Sequence, residues 1–357
     1  MAGYPGSENE RRFPKAELDS LVTALFERYG MRAADAALLA DTLVTADLRG
    51  CHSHGLLRVP EYVKKLTGGG VDPKGRPRVV SERAAALVVN GGNSMGQIGA
   101  ALAMRKAIEK AAETGVAFAA VRGSNHCGAM AYFAMLALER DMIGLCATNA
   151  LPTMAPWGGT GKILGINPLA VAIPAAQETP IVLDAAFSGS SHGKIRVYHQ
   201  KGLPIPDGWA FDALGKPTTD AAAAIDGLLQ PSGGYKGTGL AIVFGILSAV
   251  LSEASYGTEL GNMVEGARPG RDGHFMMALN IEAFTNVKRF KAEIDWIVRQ
   301  IHESPLAPGC GRIYSPGELE AETAARYAAE GIPLNAATIR ALAGAARSLN
   351  LNAALLE

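Results

Sequence analysis

The stretch Val116-Ala117-Phe118-Ala119-Ala120-Val121-Arg122-Gly123-Ser124-Asn125-His126-Cys127-Gly128 decides how the middle of this chain folds. Residues 116–121 are a β-rich run, and the pattern that follows predicts a helix over 129–140. The polar turn between them sits at the end of a strand, where α/β proteins present free backbone amides to ligands. Yet no G-x-G-x-x-G occurs anywhere in the 357 residues, and no G-x-x-x-x-G-K-[ST] either. A nicotinamide cofactor, if one binds, is therefore not held by a standard Rossmann turn.

Upstream of this stretch the chain reads as helix. Periodic apolar residues predict helices over 15–28, opened by Pro14, and over 33–48, ended by Gly50. A third is predicted over 59–66, stopped by Gly68-Gly69-Gly70. One or two strands fit 78–90, and a strong amphipathic helix fits 97–114. Downstream, strands are predicted over 143–148, 169–173, 181–183 and 274–280, with an apolar helix over 236–251. The Pro/Gly-rich segment 201–217 reads as a long surface loop. Helices return over 287–302, 316–330 and 335–349. The second of these has Ser315 as its cap, Pro316 at its first position and Glu318 at its third. The layout predicts a discontinuous helical domain (1–75 with 285–357) flanking a mixed α/β domain (76–284).

Composition narrows the class. Apolar residues at 48% against 19% charged support a large buried core and exclude global disorder. Lys plus Arg equals Asp plus Glu at 34 each, so no charge imbalance favours nucleic acid or an anionic membrane. No segment reaches about 18 uninterrupted apolar residues, so no membrane span is predicted. The polar start, residues 1–15, lacks the apolar core of a signal peptide. Cys51, Cys127, Cys146 and Cys310 form no C-x-x-C pair and read as reduced thiols of a cytoplasmic protein.

Chemistry concentrates in Cys51-His52-Ser53-His54-Gly55-Leu56-Leu57-Arg58. His54 can exchange a proton near neutral pH, Ser53 can hydrogen-bond beside it, and Arg58 offers a planar fork for a carboxylate. His52 and His54 could instead bind a metal with remote ligands, or simply be loop histidines. His126 could be a second acid/base, contact a nicotinamide, or be incidental to a capping turn. Asp184, at the end of an apolar strand, is either a helix cap or an anion that orients a histidine. Gly233-Gly234-Tyr235-Lys236-Gly237 opens a helix and suits anion binding, with Lys194 a weaker candidate of the same kind.

Together these pieces resemble the malate/L-lactate dehydrogenase family that is unrelated to the classical enzymes of those names. The resemblance is carried by Ser53-His54-Gly55-Leu56-Leu57-Arg58 with Tyr62, by Gly123 to Gly128, and by Pro156-Trp157-Gly158-Gly159. It continues through Asn167-Pro168-Leu169-Ala170, Asp184-Ala185-Ala186, Gly234-Tyr235-Lys236-Gly237 and Ser315-Pro316-Gly317-Glu318. Two departures are Ile166, where the family often has Thr, and Ala185-Ala186-Phe187, where it often reads Met-Ala-Thr.

The resemblance implies a non-Rossmann NAD(P)-binding fold, a helical domain on a mixed, largely antiparallel α/β domain, and a homodimer. It implies hydride transfer between NAD or NADP and a small 2-hydroxy/2-oxo acid of the malate, lactate, ureidoglycolate or sulfolactate type. Reduction of a cyclic 2-imino acid is the alternative. His54, helped by Ser53, becomes the main proton donor or acceptor, and Arg58 the clamp on the substrate carboxylate. His126 becomes an alternative acid/base. His126, Cys127, Gly128, Ala129 and Met130, then Asp184, Ala185 and Ala186, then Lys236, and then Gly317, Glu318 and Leu319 become cofactor contacts. No metal is implied.

Overall fold

A computed structural model of the chain describes residues 9–356. The reading of 1–15 as no signal segment falls largely on residues 1–8, which lie outside the described residues.

The chain begins with β1 (Arg11–Phe13), α1 (Lys15–Arg28) and α2 (Ala33–Leu48). Two 3-10 turns, His52–His54 and Leu56–Arg58, lead into α3 (Val59–Thr67). Next come β2 (Arg78–Arg83), β3 (Ala86–Asn90), α4 (Gly96–Thr114), β4 (Val116–Ser124), α5 (Ala131–Met135) and β5 (Met142–Thr148). They are followed by β6 (Pro152–Met154), β7 (Leu164–Gly165), β8 (Leu169–Ile173), β9 (Ile181–Ala185) and α6 (His192–Gln200). The segment expected as a surface loop holds two short strands, β10 (Ala210–Phe211) and β11 (Pro217–Thr218). Then come α7 (Ala221–Asp226), β12 (Leu228–Leu229), α8 (Tyr235–Ser248) and β13 (Asp272–Asn280). The chain closes with α9 (Val287–Glu303), α10 (Glu318–Glu330), β14 (Ile332–Leu334) and α11 (Ala336–Ser348).

A seven-stranded sheet runs in the order β2-β3-β4-β13-β5-β8-β9. Only the β3–β4 pair is parallel; the other pairs are antiparallel, as the non-Rossmann reading requires. The late strand β13 occupies the middle, with Phe275 facing Ala120 on one side and Ala147 on the other. Helix α4 packs beneath through small residues, among them Ala100, Ala103, Ala107 and Ala111, all fully buried. Short side chains let the helix lie close to the sheet, so the core is dense without large aromatics.

A second core gathers Leu18, Val22 and Phe26 of α1, Leu39 and Leu43 of α2, Tyr62 of α3 and Leu342 of α11. Those of α1 and α2 are the stripes the periodicity predicts. β1 and β14 tie the two ends of the chain together as an antiparallel pair. A third, smaller core brings Met154, Leu164, Ile195, Ile205 and Leu229 together. Helix α9 uses Ile294 and Val298 to cover Ile173, Ala175 and Ile181 at the β8–β9 edge. The proposed domain division places α9 in the helical unit, while this apolar face packs on the sheet side.

Two local readings are corrected. Helix α10 starts at Glu318 rather than at Pro316, because its cap is Gly317 at φ +85°. A Cβ at Gly317 would lie 2.6 Å from the Val182 carbonyl oxygen, so the turn is built for glycine. The helix expected over 129–140 is α5 followed by a 3-10 stretch, Leu136–Arg140. The segment Tyr235–Ser252 is long and apolar enough to cross a membrane by length and composition alone. Its inner side, with Gly237, Thr238, Ala241 and Gly245, is buried against the rest of the protein.

Candidate active site

The 51–58 motif is braced from α2. Asp47, almost fully buried, pairs through Oδ1 with His52 Nδ1 at 2.6 Å and accepts the Leu56 N–H on Oδ2 at 2.7 Å. Gly55 makes room for this: a Cβ there would lie 2.2 Å from Asp47 Cγ. Burial alone would lower the His52 pKa, but the Asp47 hydrogen bond and charge outweigh it and raise it. His52 is thus part of the brace. Among the described residues, no three His, Cys, Asp or Glu side chains cluster to hold a metal.

The brace aims the next residues at a cleft of about 690 Å³ between the motif loop, β9 and the turn before α10. Of the expected residues, Ser53, His54, Gly128, Ala129, Met130, Asp184, Ala185, Ala186, Gly317 and Leu319 line it. The His54 Nδ1 lies 2.9 Å from Ser53 Oγ. Burial, and then the charge of Arg58, depress its pKa to about 4, so the imidazole is neutral at neutral pH.

Arg58 stands beside this pair. Its Nε donates to the Ser53 carbonyl at 2.7 Å, and Nη1 donates to Glu61 at 2.8 Å. Nη2 makes no hydrogen bond among the described residues, and it borders Gly193 at the start of α6. One edge of the fork is therefore used to shape the loop. The Nη2 end and the second Nη1 hydrogen remain to meet an acid.

His126 lies behind His54, its ring stacked at 5.9 Å and 12°. Its Nδ1 is 2.8 Å from the Tyr62 hydroxyl, which also accepts from Gln97 Nε2 at 3.0 Å. Burial, then the charges of Arg58 and the two neighbouring histidines, hold its pKa well below the usual range.

Asp184 accepts the Ala131 N–H at 2.8 Å and so caps α5 from across the cleft. No hydrogen bond joins it to a histidine among the described residues, so the orienting role expected for it is not what it performs. Desolvation raises its pKa to about 6, although the Ala131 N–H opposes this. The side chain also reaches water in the open cleft. The carboxylate is therefore mostly charged at neutral pH.

Five expected residues do not line the cleft: Arg58 and His126 pack against its lining residues Ser53 and His54, and three others are turned elsewhere. Cys127 is buried, 3.7 Å from His274 Nδ1, and burial pushes its thiol pKa far up. Glu318 turns inward, accepting from Ser315 N at 2.9 Å, from His302 Nε2 at 2.8 Å, and from Arg312. Lys236 is exposed in the first turn of α8. The weaker candidate Lys194 does line the cleft, its ammonium 4.9 Å from the Trp209 ring centroid.

Asp47 and Gln97 were not singled out from sequence. Each is a polar residue on a predicted apolar stripe, Asp47 one turn after Leu43 and Gln97 two turns before Met104. A polar side chain on a buried stripe needs a partner, and that is the signal that could have found them.

The sequence profile of the family described as malate/L-lactate dehydrogenase matches residues 13–343. The malate dehydrogenase of Pyrococcus abyssi is 38% identical over 92% of both chains. The L-sulfolactate dehydrogenase of Methanocaldococcus jannaschii is 38% identical over 88% of both. The structure of malate dehydrogenase from Pyrococcus horikoshii superposes with a TM-score of 0.90 at 33% identity, covering 99% of each chain. The protein is thus an oxidoreductase of hydroxy-acid dehydrogenase type, built on a mixed sheet. It belongs to the malate/L-lactate dehydrogenase family.

Proposed function

We propose that the enzyme interconverts a small 2-hydroxy acid and its 2-oxo acid, of the malate or sulfolactate type, with NAD or NADP. The observation that carries this reading is the pairing of His54 on the cleft wall with the unused Nη2 of Arg58 beside it. In this reading Arg58 holds the substrate carboxylate, which fixes the face that the 2-carbon presents. His54 takes the hydroxyl proton during oxidation, and Ser53 holds its ring. In reduction His54 gives that proton back. Burial, and then the charge of Arg58, keep His54 neutral; a substrate carboxylate at Arg58 offsets the second of these, so binding raises the His54 pKa and eases protonation.

The cleft suits a dinucleotide in size, within the ~300–1,000 Å³ usual for cofactor sites. Ser190 Oγ, buried without a partner among the described residues, is available for a polar contact on its wall. The first turn of α10 offers backbone N–H groups at Leu319 and Glu320, suited to a pyrophosphate. Gly128 to Met130 and Asp184 to Ala186 would flank the nicotinamide half. When bound, the nicotinamide supplies or accepts the hydride; the chain supplies orientation and the proton.

A homodimer is part of this reading. The outer face of α8 exposes Leu240, Val243 and Ile246, continued by Val250 and Leu251, an apolar stripe of the kind that marks an interface. Four cysteines without a disulfide fit the cytoplasm. The test is a substrate panel run with both cofactors, following reduced nicotinamide absorbance. It offers malate, sulfolactate, lactate, ureidoglycolate and a cyclic 2-imino acid. Turnover confined to the imino acid, or no turnover at all, overturns the proposal.

A further inference from the structure

Gln97 is fully buried and makes one side-chain hydrogen bond, from Nε2 to the Tyr62 hydroxyl at 3.0 Å. Its Oε1 has no partner among the described residues. Keeping this amide in place leaves a buried oxygen unpaired, an arrangement that proteins avoid. The placement is enforced by the neighbouring residue. A Cβ at Gly96 would lie 1.9 Å from the Asn125 carbonyl oxygen, so only glycine lets the start of α4 press against the Asn125–His126 backbone. That contact sets Gln97 behind Tyr62, and Tyr62 behind His126.

A tyrosine hydroxyl has one proton to give. Here it accepts an N–H from Gln97, so its own proton is directed to its other neighbour, His126 Nδ1 at 2.8 Å. Burial holds the Tyr62 pKa well above the usual range, so the phenol keeps that proton. A neutral imidazole whose Nδ1 accepts must carry its hydrogen on Nε2. His54 differs: its Nδ1 meets a serine hydroxyl that can rotate to donate or accept.

We infer that Gln97 is a positioning residue that, acting through the Tyr62 hydroxyl, locks His126 as the Nε2–H tautomer, while His54 remains free to exchange tautomers. His126 is then a standing hydrogen-bond donor in the resting enzyme. The kinetic consequence rests on the proposed site; the tautomer does not.

The experiment is nitrogen-15 NMR of the histidine-labelled full-length enzyme near neutral pH, with His126 assigned from its loss in His126→Gln. Two-bond proton couplings distinguish the two tautomers. The wild type should show His126 as a single Nε2–H species, and an Nδ1–H pattern overturns the inference whether or not any variant folds. Gln97→Met is close in shape and removes the donor. It should yield a tautomer mixture at His126 and lower kcat roughly tenfold, the scale of one neutral hydrogen bond. In a Tyr62→Phe background the same substitution should change kcat no further. A Gln97→Met enzyme that is folded and keeps the wild-type tautomer also overturns it. A confirmed tautomer with no turnover on any hydroxy acid would count against the proposed function and leave the lock standing.

Discussion

The rings of His54 and His126 lie 12° from parallel with centroids 5.9 Å apart, and each is held at Nδ1 by a different hydroxyl. Burial, and then the charge of Arg58, disfavour protonation of both rings, and at His126 the charge of a protonated His54 would add to this. The pair is therefore neutral at rest, and the first proton to move must come from the substrate or from water.

His54→Ala should lower turnover by roughly 10²-fold or more, the usual contribution of a general acid or base. Ser53→Ala, which removes only the hydroxyl at Nδ1, should cost less. Steady-state kinetics on a hydroxy acid checks both, with circular dichroism confirming the fold. Near wild-type turnover in His54→Ala would transfer the proton role to another group.

Arg58→Lys should chiefly raise the Michaelis constant of the acid. The substitution keeps the charge but loses the planar donors, including the Nε that shapes the loop at the Ser53 carbonyl. An unchanged constant would remove Arg58 from the substrate site.

The pH profile for oxidation follows from the His54 pKa of about 4. Since kcat/KM reports the free enzyme, it should stay level from pH 7 down past 5, where a solvated histidine would already be protonated. Arg58→Gln, by removing one source of the depression, should move the acid limb upward. A wild-type limb near 6 that disappears in Asp184→Asn would assign the titration to Asp184 instead.

The Asp47–His52 brace predicts a pH-dependent stability. The folded pKa of His52 is raised, so its contribution is fully present below the unfolded value of about 6.5 and fades as pH rises through the folded value. His52→Gln should therefore lose more Tm at pH 6 than at pH 9; equal losses would mean that the pair is not ionic. Gly55→Ala should be worse at every pH, since its methyl displaces Asp47 from both partners.

Glu318→Gln should destabilise by about 2–4 kcal/mol, because a buried acceptor of four donors loses its charge. Burial opposes its ionisation, but the donors prevail and its pKa is lowered. The contribution is thus present above the unfolded pKa and lost as pH falls. Thermal melts at pH 7 check the size. Because this turn borders the cleft, the cofactor's KM should rise more than kcat falls.

The sequence carries much of this fold on its surface. The ranges Lys15–Arg28 and Ala33–Leu48 are legible from periodicity because their apolar residues face the helical core, and Leu169–Ile173 because it is a short apolar run buried in the sheet. The position of β13 at the centre of the sheet is not legible: strand order depends on which partners pair across the chain, and periodicity says nothing of partners. The short strands β6, β7, β10, β11 and β12 are also hidden, being two or three residues each. At the cleft His54 and Asp184, and beside it Arg58, stand out by residue type. Glu318 looks like a ligand contact in sequence because its neighbours Gly317 and Leu319 are at the cleft. Only the path of its side chain shows that it serves the turn.

Helix α4 belongs to two cores at once. Ile98 of its first turn and Met95 just before it are packed among the helices, while Ala100 to Ala111 lie under the sheet. A single rigid rod anchored in both works as a strut, and it denies the molecule a hinge between them. The third, smaller core, which carries α6 and the wall facing Arg58, has no such rod through it, so opening to admit or release ligand is easiest there. The enzyme would open on its substrate side like a door in a fixed frame.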